Sequence, residues 1–136
     1  MARVLLIDDD KETVAANRHM LEINGHEVET ANTAPAGAEA LSKSAFDIVV
    51  LDLVDEDESL KQDPTAGFKL VKDIRTRFPA LPVIVLTGIY EFMTDEWKDE
   101  FEHDKSVLQV HRFMEKPVAP SVLVYEIEAL LKEAHK

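Results

Sequence analysis

The chain has no cysteine in its 136 residues. That removes a disulfide framework and any thiolate metal site. Long hydrophobic runs are also missing, and none of the apolar stretches reaches the length a membrane span needs. Basic residues are few and scattered. Fifteen lysines and arginines face 27 acids, for a formal charge of −12. A nucleic-acid binder draws most of its affinity from neutralising phosphates with Lys and Arg, so nucleic acid is excluded as an expected partner. There is no internal repeat and no flexible linker. Met1-Ala2-Arg3 leads straight into a strand-like run without a secretory h-region. The expected location is cytoplasmic, without a membrane partner. The five histidines, His19, His26, His103, His111 and His135, make no ligand spacing and read as surface or edge residues.

What is present is an ordinary apolar fraction, 46%, in a chain of one-domain length. A single domain over 1–136 is expected. Strand and helix signals alternate. Strands are read at 3–8, 27–31, 47–52, 82–87 and 107–113. Helices are read at 11–24, 35–43 and 67–78, from a cap at Thr94, and from Pro120 onward. Asp10 suits the N-cap of the first helix and Gly25 its C′ position. Val14, Met20, Leu21 and Ile23 are that helix's apolar positions. In the last helix Leu123, Ile127, Leu130 and Leu131 point inward. Uninterrupted apolar strands alternating with helices predict one five-stranded parallel sheet, doubly wound, with helices on both faces.

The chemistry gathers at the strand ends. Val4-Leu5-Leu6-Ile7 runs into Asp8-Asp9-Asp10, and Ile48-Val49-Val50-Leu51 into Asp52. Val83-Ile84-Val85-Leu86 runs into Thr87, and the last strand leads to Lys116-Pro117. In an open parallel sheet the carboxyl ends share one edge, where ligands bind. Two carboxylates ~4 Å apart repel by about 4 kcal/mol at an effective dielectric near 20. A cluster of three is therefore unfavourable without a cation among them or a proton on one. Mg²⁺ takes hard oxygen ligands and keeps several waters, so one or two carboxylates with a phosphate suit it. Asp carboxylates also form aspartyl-phosphates. A hydroxyl and an ammonium would then grip the phosphoryl oxygens. Each element alone is common as a cap, turn or surface residue; the ordered set of acids, acid, hydroxyl and lysine is not.

On these residues the chain resembles the receiver domains of two-component response regulators, similar to the single-domain chemotaxis type. The likeness runs through VLLIDDD, Leu21, Gly25, Val28, Ala31, Glu39-Ala40-Leu41, DIVVLDL, Gly67 to Arg75, PVIVLTG and EKP. It implies a flavodoxin-like (βα)5 fold and makes Asp52 the phosphoacceptor. It implies Mg²⁺, or Mn²⁺ in its place, held by Asp9 directly, by Asp8 through water, by Asp52 and by the backbone carbonyl of Val54. Thr87 and Phe113 match the switch hydroxyl and aromatic, and Lys116 the phosphate-binding lysine. Asp10 keeps only its cap. The implied donor is a phosphohistidine on a sensor histidine kinase or histidine phosphotransfer protein. The implied output is a downstream protein target or a linked output domain, with a homodimer through the fourth helix, fifth strand and fifth helix. The domain would be a signalling device that loads and unloads itself, not an enzyme.

Two segments depart from that family pattern. Asp52 and Gly67 are separated by the acidic LVDEDESLKQDP stretch, read as a surface insertion or as a gate beside Asp52. After Thr87, Gly88 and the bulky Ile89-Tyr90-Glu91-Phe92-Met93 lead to a Met93, Trp97, Phe101 stripe, read as core or as a partner surface. Two other functions bear on the same residues. A haloacid-dehalogenase-like phosphohydrolase would use Asp8, Asp10 and Thr87, but its threonine should come one residue before Thr13 and it leaves Asp52 idle. A receiver-fold interaction module that is never phosphorylated would keep the site without using it.

Overall fold

A computed structural model of the chain describes residues 2–8, 10–52, 66–87, 112–115 and 118–134. Its elements in order are β1 (Arg3–Ile7), α1 (Lys11–Ile23), β2 (Glu27–Ala31), α2 (Ala34–Lys43) and β3 (Ile48–Asp52). They continue with α3 (Ala66–Arg77), β4 (Val83–Thr87), β5 (Arg112–Glu115) and α4 (Pro120–Ala134). The five strands form one sheet in the order β2-β1-β3-β4-β5, and every pairing is parallel. This is the doubly wound, flavodoxin-like architecture expected. β2 lies at an edge, as its charged flanks predict. Among the described residues no helix is long and apolar enough to cross a membrane.

Helix ends follow from local chemistry. The Asp10 carboxylate accepts from the Glu12 and Thr13 amides at 3.1 and 3.4 Å, and from the Thr13 hydroxyl at 2.8 Å. It thereby satisfies amides that the first helical turn leaves without partners. At the other end Gly25 adopts φ +87°. Its amide bonds to the Glu22 carbonyl at 3.0 Å, and the His26 amide to the Leu21 carbonyl at 3.1 Å. That pair of bonds is a Schellman stop, and a side chain at Gly25 would be strained there. Thr33 caps α2 through the Ala36 amide at 3.2 Å.

Because successive strand residues face opposite ways, the strands feed two cores. Leu5, Ile7, Val49, Leu51, Val83 and Val85 pack with Leu41 of α2 and with Leu70, Val71 and Ile74 of α3. Val4, Leu6, Ile48, Val50, Ile84 and Leu86 pack with Leu21 of α1 and with Leu123, Val124, Ile127 and Leu130 of α4. α2 lies close on its face, since a Cβ at Gly37 would sit 2.4 Å from Ile7 Cδ1.

Three expectations need correction. The fifth strand, expected over 107–113, is described over Arg112–Glu115 and so ends two residues later; 107–111 lie outside the described residues. The described segment, RFME, carries a charged residue at each end around Phe113 and Met114. Ile23 is 64% exposed and faces away from the core. It lies two residues from Leu21, about 200° around the helix. His26, read as a surface or edge residue, does adjoin the edge strand β2 but is not at the surface, because its side chain is only 8% exposed. Its Nδ1 accepts from the Ala2 amide at 3.2 Å, which leaves Nε2 to donate to Glu128 Oε1 at 3.2 Å. The helix expected from Thr94, the Met93, Trp97, Phe101 stripe, Gly88 and the acidic insertion all lie outside the described residues.

Candidate functional site

Register brings the two aspartates together. β1 and β3 pair with Ile7 beside Leu51, so the next step sets Asp8 beside Asp52. Neighbouring strands are about 4.8 Å apart. β1 is flanked by β2 on one side and β3 on the other, so the chain reverses its winding direction at the β1/β3 gap. Crevices outside the carboxyl ends at such a reversal are where open α/β sheets bind ligands. The end of β1 is fixed on its other side by the Asp8 amide, which bonds to the Ala31 carbonyl at 3.0 Å.

Both carboxylates are largely out of water, Asp8 and Asp52 each being 8% exposed. They continue the alternating rows Val4, Leu6 and Ile48, Val50, and so lie on the α1 face. Asp8 Oδ1 accepts from the Asp10 amide at 2.9 Å, which orients its carboxylate at the turn into α1. A small hollow of about 10 Å³ opens beside the pair, lined by Leu6, Ile7, Asp8, Val14, Asn17, Val50, Asp52 and Leu86.

The other expected residues are placed by backbone alone or not at all. Thr87 ends β4 one step beyond Leu86, the partner of Asp52, and pairs with Glu115. Phe113 sits within β5 beside Val85. The side chains of Thr87 and Phe113 lie outside the described set, as do Asp9, Val54 and Lys116. Lys116 follows Glu115, the register partner of Thr87, directly in the sequence. The Asp10 carboxylate caps α1, and its amide donates to Asp8 Oδ1.

One polar residue falls outside the apolar pattern read from the sequence. Asn17 is only 5% exposed and lines the hollow with Asp8 and Asp52. The signal was its spacing: Val14, Asn17 and Leu21 recur at the three- and four-residue steps of one helix face.

The donor set suits a hard divalent cation. Two carboxylates at adjacent register, shielded from water, repel each other and offer the oxygen ligands Mg²⁺ prefers. Among the described residues no group of three or more His, Asp or Glu side chains forms a complete metal cage. Asp9 and Val54, the other expected ligands, lie outside the described residues.

Comparison with known proteins bears on the family and the fold. The family model described as the response regulator receiver domain matches residues 4–128. The response regulator protein FleR of Pseudomonas aeruginosa is 34% identical over 87 residues, 64% of this chain and 17% of FleR. The transcriptional regulatory protein RprY of Bacteroides fragilis is 26% identical over 130 residues, 96% of this chain and 49% of RprY. The chain thus spans between about a sixth and a half of these relatives. Among solved structures, a CheY-like receiver domain protein of Methanospirillum hungatei superposes with TM-score 0.82 at 24% identity, covering 99% of this chain and 97% of that one. The chemotaxis regulator CheY4 of Vibrio cholerae gives 0.75 at 24%, covering 96% and 98%. At such identities these structures speak for the fold.

Proposed function

The chain belongs to the response regulator receiver domain family, a signalling family of two-component systems, and from that premise we propose that Asp52 is its phosphoacceptor. The observation that carries this reading is the adjacency of Asp8 and Asp52, both nearly buried, at the β1/β3 reversal of the sheet. The donor would be a phosphohistidine on a sensor kinase or phosphotransfer protein. An Asp52 carboxylate oxygen attacks phosphorus, a P–O bond forms, and the P–N bond to the imidazole breaks. The chain's own work is to hold that oxygen still at the end of a rigid strand, in a site from which most water is excluded.

Mg²⁺ or Mn²⁺, held by Asp8, Asp9, Asp52 and the Val54 carbonyl, would supply charge neutralisation at the phosphoryl oxygens. Lys116 and the Thr87 hydroxyl are assigned to the remaining oxygens. Drawing Thr87 toward the phosphate frees space for Phe113 to change rotamer. That biases the surface carrying β5 and α4 between two states, to be read by a protein target, a linked output domain or a second copy.

The test is incubation with acetyl phosphate and Mg²⁺, followed by intact-mass measurement and hydroxylamine treatment. The wild type gains one phosphoryl group that hydroxylamine removes, and Asp52→Asn gains none. Labelling of Asp52→Asn at the wild-type rate would show that another residue is the acceptor. Absence of any label on the wild type under these conditions, together with no Mg²⁺ binding, would favour a receiver fold used only for interaction.

A further inference from the structure

Among the described residues, three polar ones are buried as whole residues: Asp8, Asp52 and Asn17. The phosphoacceptor reading uses the first two and has no place for the third. Asn17 occupies the middle of the inward stripe of α1, between Val14 and Leu21, where hydrocarbon would pack against the sheet. Its side chain makes no hydrogen bond to the described residues. A polar side chain set among hydrocarbon is unfavourable unless it finds a hydrogen-bond partner, protein or water. Asn17 lines the same 10 Å³ hollow as the two aspartates, together with Leu6, Val50 and Leu86.

We propose that Asn17 is a positioning residue for the acid pair: through one ordered water in this hollow, its amide holds the Asp8 and Asp52 carboxylates in the orientation that binds a divalent cation. The inference rests on the phosphoacceptor reading and deepens it. The space is that of about one water. The three polar groups around it supply the two to four partners an interior water requires. The chemistry is complementary as well. Ionised carboxylates only accept, and the amide both donates and accepts. A water between them can accept from the Asn17 NH₂ and donate to one oxygen of each carboxylate. The hydrogen bonds steady both carboxylates from below, while the crevice side stays open for the cation. Groups that orient metal ligands from behind typically change metal affinity 10- to 100-fold when removed. A contact made through water belongs at the low end.

The test is Mg²⁺ titration by calorimetry on the full 136-residue chain, comparing wild type with Asn17→Leu and Asn17→Ala. Both variants delete the amide, but one fills the hollow and the other enlarges it. The expected result is about tenfold weaker Mg²⁺ binding in both, while their melting temperatures move apart, Leu above Ala. A purely structural Asn17 would shift the melting temperatures and leave the Mg²⁺ affinities at the wild-type value, which overturns the proposal. Weakening in only one variant would follow volume rather than the amide, and overturns it too. If one variant does not fold, the affinity of the other decides. The two readings fail separately. A wild type that neither binds Mg²⁺ nor takes label from acetyl phosphate removes both. A wild type that does both, with variants of unchanged affinity, removes only the role of Asn17.

Discussion

Under α2 and α3 the sheet meets hydrocarbon; under α1 and α4 it takes in two carboxylates and an amide. The first face is filled by Leu5, Ile7, Val49, Leu51, Val83 and Val85 against Leu41, Leu70, Val71 and Ile74, with Gly37 letting α2 approach Ile7 closely. The second has an equally apolar lower part, but its carboxyl end holds Asp8, Asp52 and Asn17, the buried polar residues among those described. The same five strands build both. Strand alternation sends Leu51 to one side and Asp52 to the other, so a single residue step separates packing from chemistry. Both faces contribute a buried apolar core, and only the second carries polar groups at its carboxyl end.

The largest expected effect comes from the packing face. Ile74 is fully buried between α3 and the sheet. Ile74→Ala should cost about 2–5 kcal/mol, from lost burial plus the cavity left behind. Urea unfolding followed by circular dichroism measures it. Where the variant is folded, its acetyl-phosphate labelling should match wild type. A specific loss of labelling at equal folded fraction would break the division, because it would tie the α2/α3 face to the site.

A smaller effect of opposite sign is expected from the site face. Asp8 and Asp52 are adjacent and mostly shielded, so two ionised carboxylates about 5 Å apart repel by up to about 3 kcal/mol at an effective dielectric near 20. Asp8→Asn removes one charge. It also keeps an oxygen to accept the Asp10 amide bond that Asp8 Oδ1 now accepts. In chelator the variant should be more stable than wild type by about 1–3 kcal/mol. Added Mg²⁺ should narrow the gap by stabilising wild type alone, since a ligand that binds only the folded state raises its stability. Unfolding midpoints with EDTA and with Mg²⁺ provide the four numbers. An Asp8→Asn protein less stable than wild type in EDTA would mean the pair is already compensated without a cation.

How far each face could be foreseen follows from the same contrast. Strands β1, β3 and β4 announce themselves as apolar runs, because burial on both sides leaves no room for polar alternation. Their terminal Asp8, Asp52 and Thr87 are legible for that reason. The cap at Asp10 and the stop at Gly25 are equally local, set by hydrogen bonds and a backbone angle within a few residues. What escapes is whatever depends on partners far along the chain. β5 is an edge strand of mixed residues, and it runs on to Glu115, past the expected end at 113. His26 looks like a solvated turn residue until β1 and α4 supply Ala2 and Glu128. Asn17 reads as a polar interruption of α1, and only the register of β1 against β3 shows what it faces. Ile23 errs the other way, an apolar side chain that the helix turns to solvent.

The smallest effect sharpens the boundary between cap and site. Asp10 adjoins the acid pair in sequence, and the phosphohydrolase alternative would make it a working acid. Its carboxylate is engaged with α1 instead, accepting from the Glu12 and Thr13 amides and from the Thr13 hydroxyl. Asp10→Ala should therefore cost about 1 kcal/mol, the usual loss of an N-cap. It should leave both the extent of labelling and the Mg²⁺ affinity near wild type. Asp10→Asn, which retains a capping oxygen, should restore most of the stability. If Asp10→Ala abolished labelling while Asp10→Asn did not, the cap itself would be positioning Asp8, whose Oδ1 accepts from the Asp10 amide. If both abolished it, the charge at position 10 would be part of the chemistry, and the site would extend one residue further into α1.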